Sequence, residues 1–181
     1  ESLASAYQRY QAKELDLTWI PVEQIPHIQK NTPSALLVVP RLTTEFYTFN
    51  VAKPPFDNEK VRKALYLTLD RPLIAEHIIG LRKPAATLTP PDVDGFTAPN
   101  IAELNQPLTD RVKQAKKLLN DAGYNEKHPL QFEIFYNKYA THEKVALALA
   151  SEWKKQLGAD VKLRTMEWKT YLGERNMGNF Q

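Results

Sequence analysis

Histidine is a frequent metal ligand and the side chain that most readily transfers protons near neutral pH, and the histidines of this chain are widely spaced. They fall on four separate predicted elements: His27, His77, His128 and His142. Residues 142–146, His-Glu-Lys-Val-Ala, begin like the HExxH zinc motif, but Ala146 stands where the second histidine is needed. The sequence therefore predicts no metal site and no cofactor. From its position alone, His142 is interpreted as a helix-start residue of the surface or of a cleft.

Motifs for nucleophilic or phosphate chemistry are also missing. There is no GxSxG, P-loop or GxGxxG pattern, and 6 glycines leave little material for a phosphate-binding loop. The chain has no cysteine, which excludes disulfides, thiolate metal ligands and a thiol nucleophile. Glu133, Glu143 and Glu152 are interpreted as parts of a solvated face. The sequence predicts a protein that is not an enzyme.

Aromatic residues are the more informative group, because they lie at predicted strand ends or helix starts, where open α/β sheets line their clefts. They are Trp19, Phe46, Tyr47, Tyr136, Tyr139, Trp168 and Tyr171. For Phe46, Tyr136 and Trp153 a place in the core is the favoured interpretation. Trp168 differs, because it opens a predicted helix directly after a strand and Arg175 follows near the same helical face. An aromatic surface beside a guanidinium suits a ligand that has a backbone and a carboxylate, such as a peptide.

The second half of the chain has the pattern of alternating helices and strands. The predicted elements are a helix capped by Thr109 or Asp110 and ended by Gly123, a strand at 130–136, a helix capped by Thr141 and ended by Gly158, a strand at 159–166, and a helix from 167. The order β-α-β-α implies a right-handed crossover between parallel or mixed strands. The fold class is therefore predicted to be α/β.

The first half is predicted to contain helices at 2–12 and 22–30 and strands at 15–20, 34–40 and 43–51. A break at Pro40–Arg41 indicates a change of direction or a passage between lobes. Residues 54–80 form a stiff turn and two helices, the first capped by Asp57 or Asn58. Its predicted buried stripe consists of Val61, Ala64, Leu65, Thr68 and Leu69. Residues 81–107 are predicted to form a long ordered loop.

Composition indicates a globular protein, with 43% hydrophobic and 25% charged residues among 181. The net charge of +3 is spread among acids without a Lys/Arg stripe, so nucleic-acid binding is not expected. No apolar run approaches the roughly 18 residues of a membrane span, so stable membrane insertion is not expected either. The chain begins at Glu1 and ends at Gln181, and both ends are expected to be interior points of a larger protein.

Five segments in order resemble family 5 of the extracellular solute-binding proteins, which are the oligopeptide- and dipeptide-binding proteins of ABC importers. They are "RYQAKELDLT" at 9–18, the corner at 54–80 with Pro-Phe, Val-Arg-x-Ala-Leu and Asp-Arg, "LTPP" at 88–91, "AKKLLNDAGY" at 115–124 and "EWKTYLGERNMGNF" at 167–180. Ala12–Lys13 departs from the glycine-containing turn that is usual there. The last segment is most similar to the oligopeptide and murein-peptide branch.

The resemblance implies a lobe of the periplasmic-binding-protein type II kind, with a mixed sheet flanked by helices. Residues 1–39 would end the first lobe, with Trp19 near the cleft, and residues 40–181 would form an incomplete ligand-binding lobe. The 54–80 corner would be scaffold. In the oligopeptide branch, the residues that match Trp168, Arg175 and His142 lie in ligand pockets, and Trp19 and Phe46 complete the expected site.

The implied function is a non-catalytic periplasmic receptor that binds oligopeptides and delivers them to ABC transporter permease subunits. A different solute on the same fold remains open, whether dipeptide, haem, nickel or sugar. A module kept for protein docking or signalling is the other class, and a hydrolase is the most distant alternative.

Overall fold

The computed structural model describes residues 2–39 and 41–181. Its helices and strands are α1 (Leu3–Gln11), α2 (Ile25–Asn31), α3 (Glu59–Leu67), a π-helix (Leu73–Ile79), α4 (Leu108–Asp121), β1 (Gln131–Asn137), α5 (Ala140–Leu157), β2 (Asp160–Met166) and α6 (Trp168–Asn176). Single 3₁₀ turns occur at Val22–Gln24, Pro33–Ala35 and Ala102–Asn105. Among the described residues, no helix is both long enough and apolar enough to span a membrane.

Strands β1 and β2 pair in parallel, from Gln131 opposite Asp160 to Asn137 opposite Met166. Helix α5 connects them and packs against both strands, as parallel pairing requires a crossover. The predicted β-α-β unit and the α/β class are confirmed. In the described part of the chain these two strands are the whole sheet, so no antiparallel neighbour joins it there.

The core joins the 54–80 corner to this sheet through a series of aromatic contacts. Phe56 packs edge-on against Phe132 with ring centroids 5.2 Å apart, and Phe132 meets Trp153 in the same way at 5.4 Å. The Trp153 indole Nε1–H donates to the Leu65 carbonyl at 3.2 Å, which ties α5 to α3. Tyr136 and Trp153 are buried, so the prediction that they belong to the core is confirmed.

Helix α3 matches its prediction closely. Asn58 caps it by accepting a hydrogen bond from the Lys60 amide at 3.0 Å. Four of the five residues of its predicted stripe are buried, namely Val61, Ala64, Leu65 and Thr68. The fifth, Leu69, is partly buried.

The predicted caps of α4 and α5 are wrong. Helix α4 begins at Leu108 after Pro107, and α5 begins at Ala140 after Tyr139, with no side-chain cap on either. Thr109, Asp110 and Thr141 therefore lie inside the first turn, where their backbone is already helical and their oxygens cannot take the N-cap role. The ends are as predicted, since Gly123 and Gly158 follow α4 and α5 with positive φ.

The strands predicted at 15–20, 34–40 and 43–51 are also wrong, because the described residues of these segments form no ladder with any described strand. β-branched and aromatic residues favour a pleated, half-covered surface only where a neighbouring strand supplies it. Without one, Leu17 and Leu37 are 76% and 73% exposed. Glu1 and Pro40 lie outside the described residues, and with them the predicted break at Pro40–Arg41 and the predicted boundary between residues 39 and 40.

Candidate functional site

The carboxyl ends of β1 and β2 lie side by side, and the chain leaves both at the same edge of the sheet. Asn137 is opposite Met166, and the Lys138 amide extends the contact by donating to the Met166 carbonyl at 2.7 Å. Open α/β sheets bind ligands in the crevice outside this edge. Residues 137–142 and 167–175, which follow the two strands, are therefore called the edge site.

His142 occupies the first turn of α5 within the edge site. Its Nδ1 lies 2.8 Å from the Asn137 Oδ1, and its ring meets the Tyr139 ring edge-on at 5.0 Å. A carboxamide oxygen only accepts, so this contact is a hydrogen bond in the tautomer that carries its proton on Nδ1, and in that tautomer Nε2 is an acceptor. Asn137 was not among the predicted site residues, although its position at the end of a strand could have indicated it.

Trp168 opens α6 with its side chain 56% exposed. Its ring stacks on Tyr171, with centroids 5.8 Å apart and an interplanar angle of 21°. Tyr171 also contacts Phe135 of β1 at 4.8 Å. The indole therefore presents a supported flat face to solvent at the sheet edge.

Tyr47 brings the extended segment before α3 to the same edge. Burial raises the pKa of its hydroxyl well above the ordinary value, and the nearby Glu45, Tyr136 and Tyr171 raise this pKa further. Two of these neighbours belong to the sheet region, since Tyr136 lies on β1 and Tyr171 on α6. Burial is also the main cause that raises the pKa of Tyr136.

Charged groups surround the aromatic side chains. Lys138 and Glu167, which follow the two strands, form an exposed ion pair at 3.2 Å. Arg175 lies two turns after Trp168 on α6, about 10 Å along the axis, and is exposed. Its guanidinium reaches Asn176 Oδ1 at 3.5 Å. The site thus combines an aromatic face with a cation that can meet a carboxylate.

His142 and Trp168 lie in the first turns of the helices that follow β1 and β2 at the same edge of the sheet, and Arg175 lies on the same helix as Trp168. Phe46 is 64% exposed beside Tyr47, so the favoured interpretation of Phe46 as a core residue is wrong. Among the described residues no strand covers its segment. Trp19 is 74% exposed in the extended segment before the Val22–Gln24 turn. In the described part of the chain it shares no hydrogen bond or ring contact with the edge site.

A separate cavity of about 700 Å³ lies between the turn at Val22–Gln24, the π-helix and α5. Its lining includes Val22, Gln29, His77 and Lys144, and the Lys144 ammonium pairs with the Glu23 carboxylate. None of its lining residues belongs to the edge site, so this cavity and the edge site are two separate candidate binding places. We place the candidate site at the sheet edge, because the strand topology and the exposed aromatic face coincide there.

Among the described residues, no group of three or more histidine, aspartate or glutamate side chains is arranged to hold a metal ion. Hydrogen-bonding groups, aromatic faces and single charges make up the edge site. Such a set can hold an organic ligand by stacking and charge pairing.

Comparison with known proteins gives a family match along nearly the whole chain. Residues 2–181 match the model described as "Bacterial extracellular solute-binding proteins, family 5 Middle". The probable deoxycholate-binding periplasmic protein YgiS of Escherichia coli K12 is 58% identical over 99% of this chain and 34% of its own length. These matches confirm the family resemblance.

Solved structures agree. The Escherichia coli murein tripeptide binding protein MppA is 40% identical, with a TM-score of 0.91 over 97% of this chain and 35% of its own. Haemophilus influenzae OppA in complex with the peptide RPPGFSPFR is 37% identical, with a TM-score of 0.89 over 99% of this chain and 36% of its own. The chain spans about a third of the length of these relatives.

Proposed function

Because the chain belongs to family 5 of the bacterial extracellular solute-binding proteins, we propose that it is the ligand-binding part of a periplasmic receptor. This receptor captures oligopeptides and delivers them to an ABC transporter permease. In this proposal residues 1–39 end the first lobe and residues 40–181 form most of the ligand-binding lobe. The observation that carries it is the parallel pairing of β1 and β2, which sets His142 and Trp168 at one edge.

The edge site supplies three kinds of contact to a peptide. The Trp168 indole stacks on a peptide plane or an apolar side chain, and the Arg175 guanidinium pairs with a carboxylate. His142 accepts a peptide N–H at its Nε2, because Asn137 holds the opposite nitrogen. Phe46 and Trp19 offer further exposed aromatic surface. No covalent bond changes in this account, so the role is binding without catalysis.

Low sequence selectivity follows from the same contacts. Stacking on a peptide plane and hydrogen bonds to the peptide backbone do not depend on which side chains the peptide carries. Peptide side chains that project past the indole enter hydrated space, where water molecules rearrange around them. Fixed protein atoms in that space would clash with some of these side chains. Closure of two lobes supplies the remaining contacts. Binding experiments therefore need the full-length protein.

A bile acid is the second candidate ligand, favoured by the 58% identity to a protein named as probably deoxycholate-binding. Deoxycholate has a rigid apolar ring system and one carboxylate. The Trp168–Tyr171 face matches the ring system, and Arg175 matches the carboxylate. A bile acid differs from a peptide in having no backbone N–H to donate to His142.

Native mass spectrometry of the full-length protein tests the proposal. The protein is mixed in parallel with di- to pentapeptides, with a murein tripeptide and with deoxycholate. A retained peptide adduct supports the oligopeptide receptor, and its mass gives the preferred length. An adduct with deoxycholate alone overturns the peptide assignment in favour of the bile acid. Failure to retain any of these ligands contradicts both candidates.

A further inference from the structure

Four side chains form a continuous stack that ends at Trp168. The Arg164 guanidinium carbon lies 3.8 Å from the centre of the Phe135 ring. Phe135 contacts Tyr171 at 4.8 Å, and Tyr171 stacks on Trp168 at 5.8 Å. The stack therefore runs from β2 across β1 to the exposed face of α6.

Arg164 fixes the inner end of this stack. Its Nε donates to a carboxylate oxygen of Glu133 on β1 at 2.5 Å, and a terminal nitrogen donates to the Asn179 carbonyl at 2.6 Å. The Glu174 carboxylate of α6 is 3.8 Å from the other terminal nitrogen. The side chain is only 26% exposed, so water competes weakly for these bonds. Both strands, α6 and the segment after it hold the guanidinium in place.

Core packing does not account for the stack. Helix α6 has no fully buried residue, and none of the four side chains belongs to the buried core cluster. Trp168 and Tyr171 are three residues apart, which places them on one face of the helix. Through this face Tyr171 connects the exposed indole to the sheet.

We propose that Tyr171 is a positioning residue, which fixes the plane of the Trp168 indole before a ligand arrives. A side chain that is already ordered gives up little conformational freedom on binding, so the ligand is held more tightly. The inference rests on the proposed function, in which Trp168 contacts the ligand. The Tyr171 ring makes both contacts, so phenylalanine at this position keeps them.

The test uses the full-length protein with Tyr171→Leu and Tyr171→Phe. Tyr124→Leu is the matched control, because Tyr124 stacks on His128 at 5.7 Å just before β1, at the opposite end of that strand. Tryptophan is replaced by 5-fluorotryptophan, and the ¹⁹F resonance of Trp168 is identified by its loss in Trp168→Phe. Affinities for a tripeptide, a pentapeptide and deoxycholate are measured by calorimetry.

In the ligand-free protein, Tyr171→Leu is expected to shift or broaden the Trp168 resonance. In calorimetry, the same variant is expected to bind the ligand about three- to tenfold more weakly than the wild type. Tyr171→Phe and Tyr124→Leu should leave both quantities unchanged. If Tyr171→Leu does not fold, Phe135→Leu removes the ring beneath Tyr171 and should give the same pair of changes. An unmoved resonance, an unchanged affinity, or a Phe variant as weak as the Leu variant overturns the proposal.

The resonance separates this inference from the proposed function. If the wild-type protein binds none of the three probes while Tyr171→Leu still shifts the resonance, the proposed function fails and the positioning of the indole stands.

Discussion

At the scale of one residue, Tyr47 shows how the surroundings of a side chain change its pKa. Its hydroxyl lies near Glu45, Tyr136 and Tyr171, and burial raises its pKa even though 41% of the residue remains exposed. Ionising this phenol at the sheet edge is therefore unfavourable in the folded protein. The Tyr47 phenol therefore stays protonated in the folded protein at pH values where a solvated tyrosine would ionise.

The raised pKa of Tyr47 predicts a loss of stability in alkali. Below about pH 10 the phenol is protonated in both the folded and the unfolded state, so Tyr47 contributes no pH dependence to the free energy of unfolding there. Above about pH 10 the unfolded chain releases the proton and the folded one keeps it, so the free energy of unfolding falls as pH rises. Tyr47→Phe should reduce this fall, measured by urea unfolding from about pH 9 to 11. Tyr136 retains part of it, because its pKa is also raised. An identical pH slope in both proteins would show that Tyr47 is solvated.

Trp168→Ala in the full-length protein should weaken ligand binding about tenfold, because an aromatic stacking contact is worth about 0.5–1.5 kcal/mol beyond its buried area. Isothermal titration against a pentapeptide and against deoxycholate measures the change. Tyr124→Ala is the control, since its ring lies at the other end of β1. Equal affinity in the wild-type and Trp168→Ala proteins would remove Trp168 from the site.

At the scale of elements, a buried arginine joins α4 to the end of α3. Arg111 is 9% exposed, and its guanidinium donates to the carbonyls of Leu67 at 2.5 Å, Leu69 at 3.3 Å and Gln106 at 3.2 Å. The last carbonyls of a helix lack intrahelical partners and carry partial negative charge. Arg111 therefore donates to carbonyls at the end of α3 that have no partner within that helix. It thereby fixes the 54–80 corner, which packs against the sheet.

Arg111→Met should lower the free energy of unfolding by about 3 kcal/mol, because buried carbonyls lose a charged donor. Arg111→Lys should recover only part of this, since an ammonium cannot reproduce the forked geometry. Lys116→Met on the exposed face of the same helix is the control and should change stability by less than about 0.5 kcal/mol. Equal effects at positions 111 and 116 in chemical denaturation would contradict this role.

The helices and strands that were predicted correctly are those with a clear local pattern of apolar residues. Strands β1 and β2 and helices α3 and α5 carry clear periodicity, and the β-α-β order alone places the ends of both strands at one edge. Arg111 was not predictable, because its acceptors Leu67 and Leu69 lie more than 40 residues away. The strand predictions around Trp19 and Phe46 were wrong, because strand propensity needs a partner that local sequence does not reveal.

The candidate site also has features that were predictable from the sequence and features that were not. Trp168 and Arg175 were indicated by their position and spacing and then by the family resemblance, whereas His142 came from the resemblance alone. The topology explains why His142 and Trp168 follow strands that end at the same edge. The Asn137 bond to His142 and the Tyr171 support of Trp168 depend on side-chain orientation. Neither follows from residue type or spacing.

At the scale of the whole molecule, the N-terminal part meets the rest of the chain at Gly80. This glycine follows the π-helix with φ +75°, and a Cβ there would lie 2.9 Å from Val22 Cγ1. Valine is β-branched and stiff about χ1, so it cannot easily move aside. The ion pair between Glu23 and Lys144 lies across the same contact.

Gly80→Ala should therefore destabilise the full-length protein more than Gly95→Ala, which has the same φ and open space around it. We expect about 1 kcal/mol for Gly95→Ala from backbone conformation alone and about 1–3 kcal/mol more for Gly80→Ala from the steric overlap. Val22→Ala should offset part of the Gly80→Ala loss, because it removes the overlapping methyl group. Urea unfolding measures all three, and equal costs at both glycines would show that the Val22 contact is loose.

Photo-crosslinking tests most directly whether the edge site binds the ligand. The full-length protein is irradiated with a pentapeptide pool that carries a photoreactive residue, and separately with a photoreactive deoxycholate derivative. The modified residues are then located by peptide mass spectrometry. Adducts are expected to include residues within 137–142 and 167–175, and excess unlabelled ligand should suppress them. Adducts confined to other surfaces, such as the cavity beside Val22 and Lys144, would contradict binding at the edge site.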